Sequence, residues 1–376
     1  MHPHLPDIVR RFPLIGRPRP SCPPIHERVQ EVAARLTICA NGAGPGPARG
    51  ASNTLNELAL FASDWRLKSL ATGLCWDQIN AYRNTGRPLT CQETRWLLEP
   101  VVNLARLAIR DRDGDKAVTL LEDVHTAVAH REDLAVDGQV LAVSATTGSP
   151  RDHGDLLTFV RTLLLTEGIR AFALAGRWDD ARRFAVHHHG IDDRLTEGRQ
   201  IAAIAAALSG NTGQATDIID TTHAGQDWER DVADCLQLMF RQPGTPGSAN
   251  LLNAAVGRYL QARPEKGFIS YRTRLGVTLA LIAQPSDPGL AARVLQHATE
   301  SVIASDDGYG ARDLSGSNGL LGTITAGQRE KLTAIMTASG LYGVSPNDPV
   351  ITHLTSMAAE AAKVLTESLP RIASTA

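Results

Sequence analysis

Aromatic residues are scarce in this chain of 376, at 5%. With alanine abundant beside them, tight helix-on-helix packing is favoured. Cysteine is scarce too: Cys22, Cys39, Cys75, Cys91 and Cys235 show neither CxxC spacing nor the density of a disulfide framework. Free thiols in a reducing cytoplasm are therefore expected. No apolar run approaches the roughly 18–20 residues that cross a bilayer, so a soluble protein without a membrane partner is expected. Nor does one sign of charge dominate, since 38 Lys+Arg stand against 40 Asp+Glu for a formal net charge of -2. Nucleic acid would need a basic stripe to replace counterions on phosphates, and it is not an expected partner. The opening MHPHLPDIVRRFPLIGRPRP has five prolines and no continuous apolar stretch, so it does not read as a secretory signal.

Signatures of chemistry are also lacking. No GxSxG, P-loop, HExxH or spaced CxxC pair occurs, which leaves nucleophilic, nucleotide and zinc chemistry without an anchor and no cofactor or metal expected. His187, His188 and His189 point about 100° apart on a helix, so at most two could share a ligand. A helix C-terminus stopped by Gly190, where imidazoles favour the negative end of the dipole, accounts for them. Asp179 and Asp180 fall in a first helical turn, where negative charge is favoured.

What is present is helical periodicity. Residues 1–50 read as a flexible Pro/Gly-rich arm with one short helix in HERVQEVAARLTI. That single helix is too little for a helix-turn-helix head. Residues 51–304 read as helices broken by short turns. Thr90 and Glu93 make a capping box for a helix through WLLEPVVNLARLAIR, with a kink or a later start at Pro100. Alternation around Asp137-Gly138 predicts a small β-hairpin near 134–143. Residues 305–324 read as a polar loop, and 325–376 as two C-terminal capping helices.

One small pattern recurs inside 51–304. A turn residue is followed five positions later by alanine: Gly176 with Ala181, Gly210 with Ala215 and, more weakly, Arg66 with Ala71, Arg112 with Ala117 and Asp287 with Ala292. Small residues at Ala59, Ala105, Ala203 and Ala280 fall twelve positions before four of these. Facing alanines let helix backbones approach closely. Ala181 and Ala215 lie 34 residues apart, the period of a tetratricopeptide hairpin. On the AGRWDDA and SGNTGQA turns, the stretch resembles a degenerate tetratricopeptide-repeat α-solenoid. Cys75, Leu121, Ala185 and Ile219 stand where the family has an aromatic. The opening hairpin ELALFASDWRLKSLATGLCW is similar to uncharacterised actinobacterial helical-repeat proteins.

The resemblance implies an all-α, right-handed superhelix of antiparallel hairpins whose first helices line a concave groove. In that register Asn53, Asn56, Asn103, Arg106, Thr166, Arg170, Gln200 and Arg274 point inward. Arginine suits bidentate pairing with a carboxylate, and asparagine can bind peptide backbone. The expected partner is a protein or peptide with an acidic or C-terminal carboxylate group, bound by a cytoplasmic scaffold or regulatory accessory protein. Pairing of those arginines with Glu57, Glu99 or Glu167 is the plainer alternative. Two other readings stay open: an enzyme using His125, His153 or His187 in an all-α cavity, and a homo-oligomerisation module using the final helix.

Overall fold

The computed structural model describes residues 5–40, 46–241, 245–263, 265–316 and 324–370. Among them the chain is all-α apart from one small β-hairpin. In chain order the helices begin with α1 (Leu5–Val9), α2 (Ile25–Ala40), α3 (Pro47–Asp64), α4 (Lys68–Arg83), α5 (Cys91–Arg110) and α6 (Gly114–His130). Strands β1 (Leu134–Val136) and β2 (Gln139–Leu141) follow, then α7 (Pro150–Leu174), α8 (Trp178–His187), α9 (Glu197–Leu208) and α10 (Thr212–Asp220). The remainder are α11 (Asp227–Phe240), α12 (Ser248–Gln261), α13 (Ile269–Ala283), α14 (Pro288–Ser305), α15 (Gly308–Ser315), α16 (Ala326–Ala338) and α17 (Pro349–Ser368). No helix among the described residues is long and apolar enough to cross a membrane.

Four inter-helix turns share one backbone solution. Arg66, Arg112, Gly176 and Gly210 all adopt the left-handed conformation, with φ of 62°, 65°, 73° and 85°. The N–H of the next residue reaches back over the helix end each time: Leu67 to Ala62, Asp113 to Ala108, Arg177 to Phe172 and Asn211 to Ala206, at 2.8–3.0 Å. This is the Schellman arrangement, which satisfies carbonyls that a helix end leaves without donors. Four residues after that donor comes Ala71, Ala117, Ala181 or Ala215, each at most 1% exposed. The short side chain lets the second helix turn sharply and lie against the first. Asp287 with Ala292 does not follow this rule. Gln284, at the end of α13, stays right-handed, and Ala291 rather than Ala292 takes the buried place.

The chain separates into two compact units, each built from two stretches: residues 1–24 with 172–339, and residues 25–171 with 340–376. The expected single repeat domain over 51–304 is thus divided, with the boundary inside α7.

In the second unit, α3 packs on α4, α4 on α5 and α5 on α6, while α17 lies along α3. Leu55, Leu58, Trp65, Ile79, Tyr82 and Leu98 form its fully buried centre. The capping box of Thr90 and Glu93 starts α5 as the spacing predicts. Pro100 does not delay the start, because α5 runs from Cys91 to Arg110. Proline has no N–H to offer the Trp96 carbonyl four residues back. Gln78 of α4 fills that place, its Nε2 donating to the Trp96 oxygen at 3.2 Å. The β-hairpin turns at Asp137 and Gly138, both at positive φ as a two-residue turn of this hand requires. Its buried face, Leu134, Val136 and Leu141, sits beside α6.

In the first unit, α9 pairs with α10, α13 with α14, and α15 with α16. The structure departs here from the sequence reading at three places. Residues 5–24, read as part of a flexible arm, place Leu5, Ile8, Val9, Phe12 and Leu14 in this unit's core. Residues 308–315, read as loop, form α15, which starts because the Asp307 side chain accepts the Gly310 N–H at 2.7 Å. Part of that expected loop, 317–323, lies outside the described residues. The two C-terminal helices fall in different units, α16 in the first and α17 in the second.

Candidate functional site

The first unit holds an extended stretch of its own chain. Between Phe12 and Pro24 the main chain forms neither helix nor strand, so its N–H and C=O groups need outside partners. Side chains and loop backbone from distant helices supply them. The Leu14 N–H donates to Gln200 Oε1 at 2.8 Å, and Gln200 Nε2 donates back to the Leu14 carbonyl at 2.8 Å. One buried amide thereby reproduces the paired bonds of a neighbouring β-strand. Gln200 also donates to the Leu195 carbonyl at 2.9 Å, so its amide serves α9 as well.

Just before this stretch, the Arg11 carbonyl accepts from Arg274 of α13, and further along the Arg19 N–H donates to the Gly267 carbonyl at 2.9 Å. Cys22 is held at both ends of its peptide unit. Its N–H donates to Asp307 Oδ2 at 2.9 Å, while its carbonyl accepts from the Gly308 N–H at 2.8 Å and the Ser339 hydroxyl at 3.0 Å. Asp307 is fully buried, and burial pushes its carboxyl above the ordinary value despite the N–H groups of Gly310, Cys22 and Tyr309 that favour the charge. Gly16 passes so close to Trp228 of α11 that a Cβ there would overlap the indole. An ion pair joins Arg17 to Glu197 at the start of α9, 3.1 Å apart.

A second polar cluster lies in the second unit. Arg106 of α5 donates from Nε to Glu167 of α7 at 2.8 Å and from Nη1 to Asn103 Oδ1 at 2.9 Å. Arg170 reaches the other oxygen of Glu167 at 3.2 Å, and Asn103 donates to Asn56 of α3. Burial pushes the Glu167 carboxyl up, but the charges and hydrogen bonds of Arg106 and Arg170 outweigh it and hold the group below its ordinary value. Glu99, half-buried near Arg95 and Arg106, moves the other way, because burial outweighs those charges.

The eight expected groove residues therefore meet different fates. Gln200 bonds main chain of the extended stretch and Arg274 the turn just before it, both within the first unit. Asn56, Asn103, Arg106 and Arg170 come together in the second unit, where an internal carboxylate already occupies the arginines. This is the plainer alternative weighed for them. Asn53 is exposed on α3 and Thr166 half-buried on α7, and neither is drawn into a site. Trp228, Glu197, Asp307 and Ser339 were not legible as site residues. Only Asp307, an N-cap aspartate ahead of Gly308, carried a local signal, and it marks a helix start rather than a ligand.

The histidine run does end a helix: α8 closes at His187, His189 sits at positive φ, and the Gly190 N–H returns to the Ala185 carbonyl at 2.7 Å. Among the described residues, no group of three or more His, Cys, Asp or Glu is placed to hold a metal. No protein-family model, curated protein or solved structure matches the chain.

Proposed function

We propose that this chain is a scaffold of degenerate tetratricopeptide-like hairpins that binds protein or peptide partners, with the first unit as the binding module. The observation that carries the reading is the reciprocal pair of hydrogen bonds between Gln200 and the Leu14 main chain. A fully buried amide spent on reading peptide backbone suits an extended ligand of varied sequence. The four equivalent turns, each followed by a buried alanine, support the hairpin assignment. Carboxylate capture by Arg106 and Arg170 gains less support, because Glu167 already engages both guanidiniums.

The test is selection of 16-residue peptides from a displayed library on the full chain, followed by fluorescence anisotropy of the enriched sequences. Gln200→Leu removes both main-chain bonds at similar volume. Measured with Phe12→Ala/Leu14→Ala present in both chains, so that residues 5–22 do not compete through the same bonds, it should weaken binding about 30-fold at about 1 kcal/mol for each neutral hydrogen bond. A library that yields no binder, or binders indifferent to Gln200→Leu, rejects the reading.

A further inference from the structure

We infer that residues 5–22 are an exchangeable intramolecular ligand of the first unit, and that its external partner is an extended, proline-rich segment with an aromatic–proline–aliphatic–any–glycine pattern. The inference rests on the reading of this unit as a peptide-binding module and adds what occupies it and what it selects.

The ligand side is built like a bound peptide. Pro13, Pro18 and Pro20 leave fewer N–H groups to satisfy and favour an extended chain. The N–H groups of Leu14, Arg19 and Cys22 all find acceptors in the groove. Phe12 and Leu14, two residues apart, insert side chains that are 2% and 1% exposed. Gly16 then lies flat on Trp228 where no side chain fits, and Arg17 meets Glu197. Anchor, anchor and gap together define the pattern Phe12-Pro13-Leu14-Ile15-Gly16.

The groove side has support of its own. Its walls belong to α9, α11, α13 and α15, and each packs against a following helix, α10, α12, α14 or α16. The segment bonds these walls through side chains and loop backbone at separations of 186 to 317 residues, with no ladder continuing into a neighbouring element. The chain leaves the unit at Pro24, so release carries off the five-residue α1 with the segment and needs none of the wall helices to unwind. A tethered segment competes with free peptide at an effective concentration on the order of millimolar, so the resident segment holds the groove until a partner of matching pattern displaces it.

The experiment uses the full chain, Gly16→Val to push the segment off Trp228, and Phe12→Ala/Leu14→Ala to remove its anchors without steric pressure. A fluorescent peptide of residues 5–22 should bind either variant at least about tenfold more tightly than the unaltered chain, and the same peptide bearing valine for Gly16 should not bind. Hydrogen exchange at Leu14, Arg19 and Cys22 should quicken at least about tenfold in both variants while α9 and α13 keep their protection. Loss of protection in α9 and α13 in step with the segment, or loss of cooperative unfolding in both variants, would make the segment plain core and overturn the inference. So would variants that release the segment yet ignore the peptide. A doubled solution mass without peptide, with Leu14 still protected, would assign the segment to a second copy and overturn the intramolecular assignment. Library peptides that bind through Gln200 without quickening exchange at Leu14 would sink this inference and leave the binding reading intact.

Discussion

Gln78 does for Trp96 what the backbone of Pro100 cannot. Its side-chain N–H donates to the Trp96 carbonyl, the acceptor that a non-proline residue at 100 would have served. Gln78 is itself fully buried and its Oε1 has no partner, so the residue is there for its donor.

Gln78→Leu should then cost about 1–3 kcal/mol, the desolvation penalty of a buried carbonyl left without a donor. In a Pro100→Ala background the helix can close its own bond, and the same substitution should cost much less. Urea unfolding of the four chains gives the coupling energy. A coupling below about 0.5 kcal/mol would separate Gln78 from the proline.

The left-handed turns make a paired prediction. Gly210 has open space where a Cβ would stand, so Gly210→Ala should cost about 1 kcal/mol from backbone strain alone. Arg112 already bears that strain at φ 65°, and Arg112→Gly should relieve it, raising stability by up to about 1 kcal/mol. Thermal unfolding of both variants decides the matter, and opposite signs are expected.

The alanine spacing made those turns legible because the requirement is local. A left-handed residue, one reaching-back N–H and one small side chain all fall within ten residues. The capping box of Thr90 and Asp137-Gly138 were legible for the same reason. The N-terminal segment was not. Proline and arginine describe a chain with little helical or strand preference, and nothing near Leu14 announces that Gln200 will bond it. Register put Gln200 and Arg274 in an expected groove, and nothing local told that each would bond main chain of residues 11–14. For Arg106 and Arg170 helical spacing did offer Glu167 as a partner, without choosing it over Glu57 or Glu99.

That buried carboxylate carries the next expectation. Glu167 is 5% exposed, and Arg106 gives it the shorter of its two ion pairs, 2.7 Å against 3.2 Å. Arg106→Ala should destabilise the second unit by about 2–4 kcal/mol, somewhat below a fully buried pair because Arg170 remains. Adding Glu167→Gln removes the stranded charge and should recover a good part of the loss. Denaturant unfolding of the single and double variants measures it, and no recovery would place the damage in packing instead.

Acid should find the first unit through Glu229. Burial pushes its carboxyl up, but Arg194, bonding both oxygens at 2.7 and 2.9 Å, and the Gln226 N–H hold it below the ordinary value of 4.5. A lowered folded pKa gives stability that is fully present above about pH 4.5 and lost as pH falls through the lowered value. Glu229→Gln should be less stable at neutral pH and should flatten that acid limb. Unfolding midpoints between about pH 3 and pH 7 test it, and parallel limbs would exclude Glu229 as the source.

The bond between Leu14 and Gln200 also sets an order of events during synthesis. Leu14 leaves the ribosome 186 residues ahead of its partner, about 10–40 s at ordinary translation rates. Throughout that interval Ile8, Phe12 and Leu14 travel without the surface that will cover them. A nascent chain of this protein carries these apolar side chains before the helices that receive them exist, and the unit cannot close until Ser339 has been made.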